Sequence, residues 1–176
     1  MAMSNIKHKQ GFTLVETFVA IVILTIAVIG PLSLLSKAIT DGNFAKNQIT
    51  AYYLAQEGLE MVVNIRDRNL IARGTGWLSG LESCMGQFCA MDFIGSILDC
   101  GEDEECYRLS QEPNKKMYLI QGGNFRGSLD PSLFYRKIKI DQVDGGDGAM
   151  VTSMVYWVHN GRTTSPFKIT SFISNQ

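Results

Sequence analysis

The sequence predicts an α+β protein in which a long N-terminal helix packs on a small antiparallel β-sheet. Three observations carry this reading. An apolar run, FTLVETFVAIVILTIAVIGPLSLL, fills Phe12 to Leu35. Apolar residues then recur at spacings of three and four, the period of a helix. The C-terminal third holds three alternating runs rich in β-branched and aromatic residues, separated by turn residues. The chain therefore divides into a short basic segment (1–11), a membrane helix (12–36), an amphipathic helix (37–73) and a β-rich head (74–176).

Apolar residues make up 45% of the 176-residue chain and charged residues only 19%. The formal net charge of −1 offers no basic face for nucleic acid. Within the apolar run Glu16 is the one charged residue. A helix of roughly 20 residues, rising about 1.5 Å per residue, crosses a bilayer. Lys7, His8 and Lys9 precede the run, and no Lys or Arg recurs before Lys37. Positive residues stay on the cytoplasmic side, so a single pass is expected, with the N-terminus in the cytoplasm and the head outside. An ordinary secretory signal is shorter and ends in small residues. This run ends in Pro31-Leu32-Ser33-Leu34-Leu35-Ser36, so a retained anchor in the cytoplasmic membrane is expected.

A carboxylate five residues into an apolar helix costs about 2.5–3.5 kcal/mol on insertion scales, which makes Glu16 a functional candidate that needs a partner. Its surroundings, KHKQGFTLVETFVAIVIL, resemble the class III signal peptide of type IV pilins, pseudopilins and related filament proteins. Gly11, Phe12, Thr13, Leu14, Val15 and Glu16 match that pattern in type and order. The resemblance implies that residues 1–11 are a leader and that a prepilin peptidase cuts between Gly11 and Phe12. It also implies N-methylation of the new Phe12 amine. Glu16 of one subunit would then meet the Phe12 amine of a neighbour, and the chain would assemble with other pilin-like subunits through an inner-membrane platform. Gly11 suits such a cut, because a residue without a side chain lets the backbone lie flat in a protease cleft.

Gly30 and Pro31 fall at the nineteenth and twentieth positions counted from Phe12. Pro removes a helix hydrogen bond and Gly weakens the helix beside it. Two readings stay open: a kink or meltable segment used in the filament, or an ordinary kink tolerated in a membrane helix. Beyond the membrane, Tyr52, Ala55, Leu59, Val62 and Ile65 form an expected apolar stripe. Asp41-Gly42-Asn43 is expected to interrupt or loosen the helix, Gly58 to be tolerated at about 1 kcal/mol, and Gly74-Thr75-Gly76-Trp77 to end it. Ala51 to Glu60 is similar to the post-membrane helix of minor pilins of the pilus-modification kind.

Four cysteines follow, Cys84, Cys89, Cys100 and Cys106. In an exported domain they read as two disulfides, with three pairings open. Zinc fits poorly, because the gaps of four and five residues are wider than most paired zinc ligands. Gly101 to Glu105 and Asp144 to Gly148 could suggest calcium, but neither has the spacing of a calcium loop. They are read as a solvated acidic loop and a hairpin turn.

In the head, Phe134 to Ile140, Met150 to Val158 and Phe167 to Ile173 are the expected strands, and Met117 to Ile120 adds a short one. Asn160-Gly161 marks a hairpin. Val155 and Trp157 share one face, and Trp157 is expected in the core. No nucleophile elbow, phosphate loop or metal triad is present, so neither enzymatic activity nor a cofactor is expected. The resemblance favours a minor pilin of a type IV pilus. A type II secretion or competence pseudopilin, and a membrane-tethered binding domain, are the alternatives.

Overall fold

A computed structural model describes residues 11, 13–72, 76–114, 117–143, 145–159 and 161–175. Lys7, His8, Lys9, Phe12, Gly74, Thr75, Asp144 and Asn160, each used in the sequence reading, lie outside the described residues. The chain separates into two compact units, residues 1–43 and 44–176.

One helix, α1 (Leu14–Ala72), runs through both units without interruption. Helical structure therefore continues through Pro31 and through Asp41-Gly42-Asn43, against the expected break at the latter. The division between the units nonetheless falls at Asn43, where the first buried face is about to begin. Before it, every described residue is exposed.

In the second unit α1 buries Ala51, Leu54, Ala55, Gly58, Met61, Val62 and Ile65. The expected stripe matches this face in part. Ala55, Val62 and Ile65 are buried, Leu59 is half-buried, and Tyr52 is 41% exposed with its ring edge-on to Phe167. Small residues take the centre because the sheet comes so close. A Cβ on Gly58 would stand 2.4 Å from Ser153 Oγ and 3.3 Å from Arg136 Cδ. Gly58 is thus required by the packing and not merely tolerated.

Among the described residues the strands are β1 (Cys89–Met91), β2 (Ile97–Asp99), β3 (Arg108–Gln111), β4 (Tyr118–Ile120), β5 (Asp130–Gln142), β6 (Gly148–His159), β7 (Arg162–Thr163) and β8 (Phe167–Ser174). β5, β6 and β8 form the antiparallel meander, in register from Phe134↔Trp157 to Gln142↔Ala149 and from Gly148↔Ser174 to Val155↔Phe167. β6 and β7 close a hairpin through His159↔Arg162. The β5–β6 turn holds Gly145 and Gly146 at φ of +100° and +77°, a backbone region that favours glycine. The other edge of β5 is shared: β3, carrying β4, pairs near its start, and β1, carrying β2, pairs at Ile138.

The face of the sheet toward α1 carries Phe134, Ile138, Ile140, Val151, Val155 and Trp157, all buried. Trp157 is 3% exposed, as a core residue should be. The disulfides join Cys84 to Cys89 and Cys100 to Cys106, with Cα–Cα distances of 4.9 and 5.6 Å. Of the three pairings left open, the local one is observed.

Candidate functional site

The candidate site begins where α1 begins. Thr13 precedes the first helical residue, and Glu16 stands three positions later. The Glu16 backbone N–H donates to Thr13 Oγ1 at 3.3 Å, and the Thr13 N–H donates to Glu16 Oε2 at 3.5 Å. This reciprocal arrangement is a capping box, in which two otherwise orphaned donors at a helix start are satisfied. Glu16 therefore has an intrachain partner that the sequence reading did not name. Its signal, a Thr followed three residues later by Glu ahead of an apolar run, was present. Gly11 is exposed, with nothing within 4 Å of the position its Cβ would take. It leaves the backbone beside the expected cut accessible.

From Thr17 to Ser36 the helix carries no charged residue, and by length and composition it can cross a membrane. Leu14, Ile26 and Leu34 are 85, 68 and 71% exposed. A surface of this kind suits lipid or the helices of other chains. The hydroxyls in this stretch turn inward. Thr17, Thr25 and Ser33 each donate to the carbonyl three residues back, all at 2.8 Å. Satisfying polar side chains within the helix removes most of their cost in hydrocarbon. Ser33 bonds the carbonyl of Gly30, beside Pro31.

In the head, polar side chains gather at two places. Arg136 is completely buried between α1 and the sheet. Its guanidinium donates to Glu57 Oε2 at 2.7 Å, to the Leu54 carbonyl at 3.1 Å and to the Met91 carbonyl at 2.8 Å. Burial pushes its pKa down, and the Glu57 carboxylate pulls it back up. Sequence reasoning missed this residue, although strand parity places Arg136 on the face of Phe134, Ile138 and Ile140.

The second place is the acidic disulfide loop. Its Glu104 accepts hydrogen bonds from Lys137 Nζ and the Tyr156 hydroxyl. Glu105 accepts from Tyr135 at 2.9 Å and Arg108 at 3.2 Å. The loop is exposed, as expected, yet it is also clasped to the face of the sheet turned away from α1. The hydrogen bond from Lys137, then that from Tyr156, hold the Glu104 carboxyl below its usual range. Burial, then the bond to Glu104, push Tyr156 up. The four cysteines fall into these surroundings: Cys84 and Cys89 in the core, Cys100 and Cys106 at the root of the acidic loop. Gly11 and Glu16 lie at the start of α1, the Gly30–Pro31 step lies further along it, and the cysteines belong to the head.

No curated protein and no solved structure matches the chain. Residues 6–30 match the family described as the prokaryotic N-terminal methylation motif, the stretch that contains Gly11, Phe12, Glu16 and Gly30. That motif overlaps the start of α1, and over this N-terminal stretch the chain is similar to type IV pilin-like and pseudopilin-like precursors.

Proposed function

We propose that this chain is a structural subunit, a minor pilin, of a type IV pilus-like filament. A prepilin peptidase cuts it between Gly11 and Phe12 and methylates the Phe12 amine. Before assembly it sits once across the cytoplasmic membrane, with the N-terminus in the cytoplasm and the head outside. It then joins other pilin-like subunits through α1. The chain carries out no reaction of its own.

The observation that carries the reading is the coincidence of the methylation motif with the apolar surface of a helix long enough to cross a membrane. In the membrane lipid covers that surface, and in a filament neighbouring helices replace lipid. Glu16 fits both stages. In the precursor its carboxylate reaches back to the Thr13 N–H. After the cut, the Phe12 amine of a neighbour is a stronger, charge-assisted donor to the same group. In low dielectric such a pair gains much, although desolvation offsets much of the gain, so its main use is register. A type II secretion or competence pseudopilin would share every one of these features. The two-disulfide head and the resemblance of Ala51 to Glu60 favour the pilus.

Mass spectrometry of the N-terminal peptide from native filaments tests the reading. A peptide beginning at methylated Phe12 is expected, and Gly11→Leu should leave a slower, uncut precursor. Native protein that still begins at Met1 would overturn it.

A further inference from the structure

We propose that the free edge of β8 takes up one further strand, an extended segment of another polypeptide with apolar side chains at alternate positions and an acidic residue beside Lys168. That this polypeptide is a neighbouring filament subunit rests on the function proposed above; the chemistry of the edge does not.

β8 pairs with β6 along one side, from Gly148↔Ser174 to Val155↔Phe167, without a register shift. Just past that ladder the Asn175 N–H donates to the Asp147 carbonyl at 2.9 Å. Hydrogen-bonded pairs alternate along an antiparallel ladder, so Ile173, Ser171, Ile169 and Phe167 are the residues that bond β6. The N–H and C=O groups of Lys168, Thr170 and Phe172 point the other way, and among the described residues they have no partner. The open stretch has defined ends. Pro166 has no N–H to offer, and the Ser174 carbonyl accepts from Arg66 at 3.4 Å. Edge strands are commonly blunted by shortness. β2, β4 and β7 fit that rule, with three, three and two residues. β8 has eight and no proline.

A second observation points to the same occupant: the apolar face of α1 reaches past the sheet. Tyr52, Leu59, Val63 and Arg66 recur at spacings of seven, four and three, which places them on one flank of the helix. That flank meets β8, since the Tyr52 and Phe167 rings are 5.6 Å apart and Arg66 bonds Ser174. Tyr52 is exposed there, and Leu59 and Val63 are only half-buried. One more strand, about 4.8 Å beyond β8, would lay every second side chain on that flank, and apolar ones fit it. On the opposite face Lys168 is exposed and has no ion pair among the described residues. A carboxylate directly across from it is the favourable match.

Antiparallel pairing of two β8 edges does not suit the filament. α1 runs beside β8 in the same direction, from Tyr52 at Phe167 to Arg66 at Ser174. Such a pair would set these helix segments in opposite directions, whereas subunits drawn from one membrane share a direction.

Amide hydrogen exchange of the full chain, compared between detergent and sheared filaments, provides the test. The amides of Lys168, Thr170 and Phe172 should exchange freely in detergent and about a hundredfold more slowly in filaments, because a ladder hydrogen bond protects an amide. Thr170→Pro removes one outward N–H and keeps the bonds to β6. It should lower incorporation into filaments about tenfold. Lys168→Glu changes only an exposed charge and should lower incorporation about threefold, whereas Lys168→Arg should not. Filaments whose subunit begins at Phe12 but leaves these three amides unprotected overturn the inference and leave the function standing. So does unchanged incorporation of Thr170→Pro or of Lys168→Glu. A chain that still begins at Met1 and is absent from filaments overturns both.

Discussion

Arg136 NH1 lies 2.7 Å from Glu57 Oε2, with the Arg136 side chain fully buried and that of Glu57 34% exposed. The two partners are therefore unequal. Removing the carboxylate strands a charge inside the head, whereas removing the guanidinium leaves a carboxylate that can turn to water. Glu57→Ala should cost about 3–5 kcal/mol, and Arg136→Met, which keeps the volume, clearly less. Thermal unfolding of the detergent-solubilised chain reads the difference. Equal losses would contradict the asymmetry.

Gly58→Ala should destabilise, although helix propensity alone favours Ala by about 1 kcal/mol. The added methyl meets Ser153 Oγ at 2.4 Å and Ser153 Cβ at 3.2 Å. Overpacking of this kind costs about 1–3 kcal/mol. In a Ser153→Ala background the loss should shrink, because the nearer of those atoms is gone. A double-mutant cycle on unfolding midpoints measures the coupling.

Two functions meet in Glu16, and one substitution separates them. Gln can complete a capping box but carries no charge. Glu16→Gln should therefore keep the helix start and cleavage at Gly11 while reducing incorporation into filaments. Glu16→Ala loses the cap as well, at about 1 kcal/mol or less. Immunoblots of sheared filaments against membranes give the ratio. Normal incorporation of Glu16→Gln would mean that the charge is not what assembly reads.

Acid should loosen the outer face of the sheet. The folded-state pKa of Glu104 is lowered, so its contribution is present above the usual carboxylate value near 4.5 and is lost as pH falls through the lowered one. Glu104 is largely exposed, which limits the effect to about 1 kcal/mol or less. Glu104→Gln should flatten the acid limb of the stability–pH profile and leave stability near neutral pH only slightly reduced. An acid limb identical to that of the unsubstituted chain would remove Glu104 from the account.

Long-period patterns were legible in the sequence. Α1 and the three long strands are seen near the runs that predict them, and β4 lies within the short run at Met117 to Ile120. What escaped was short or relational. β1, β2 and β3 have three or four residues each, too few for alternation to register; β1 and β3 pair with the long edge of β5, and β2 pairs with β1. Disulfide partners depend on how the chain returns in space, which spacing does not encode. The expected apolar stripe holds at Ala55, Val62 and Ile65 but omits Ala51 and Gly58, whose small size lets the sheet approach the helix. Arg136 and the capping role of Thr13 were readable by parity and by spacing, yet an Arg in a strand reads as solvent-facing, and Thr13 was read only as part of the leader pattern.

Both covalent ties sit at the roots of the strands that close the far edge of β5, Cys89 opening β1 and Cys106 leading into β3. A 13-residue strand stripped of those neighbours would present a template on which identical heads could zip together. The two ties are therefore expected to guard that edge as well as to stabilise the head. A reduced population crowded at the membrane should scatter light and sediment early, long before its helix unwinds.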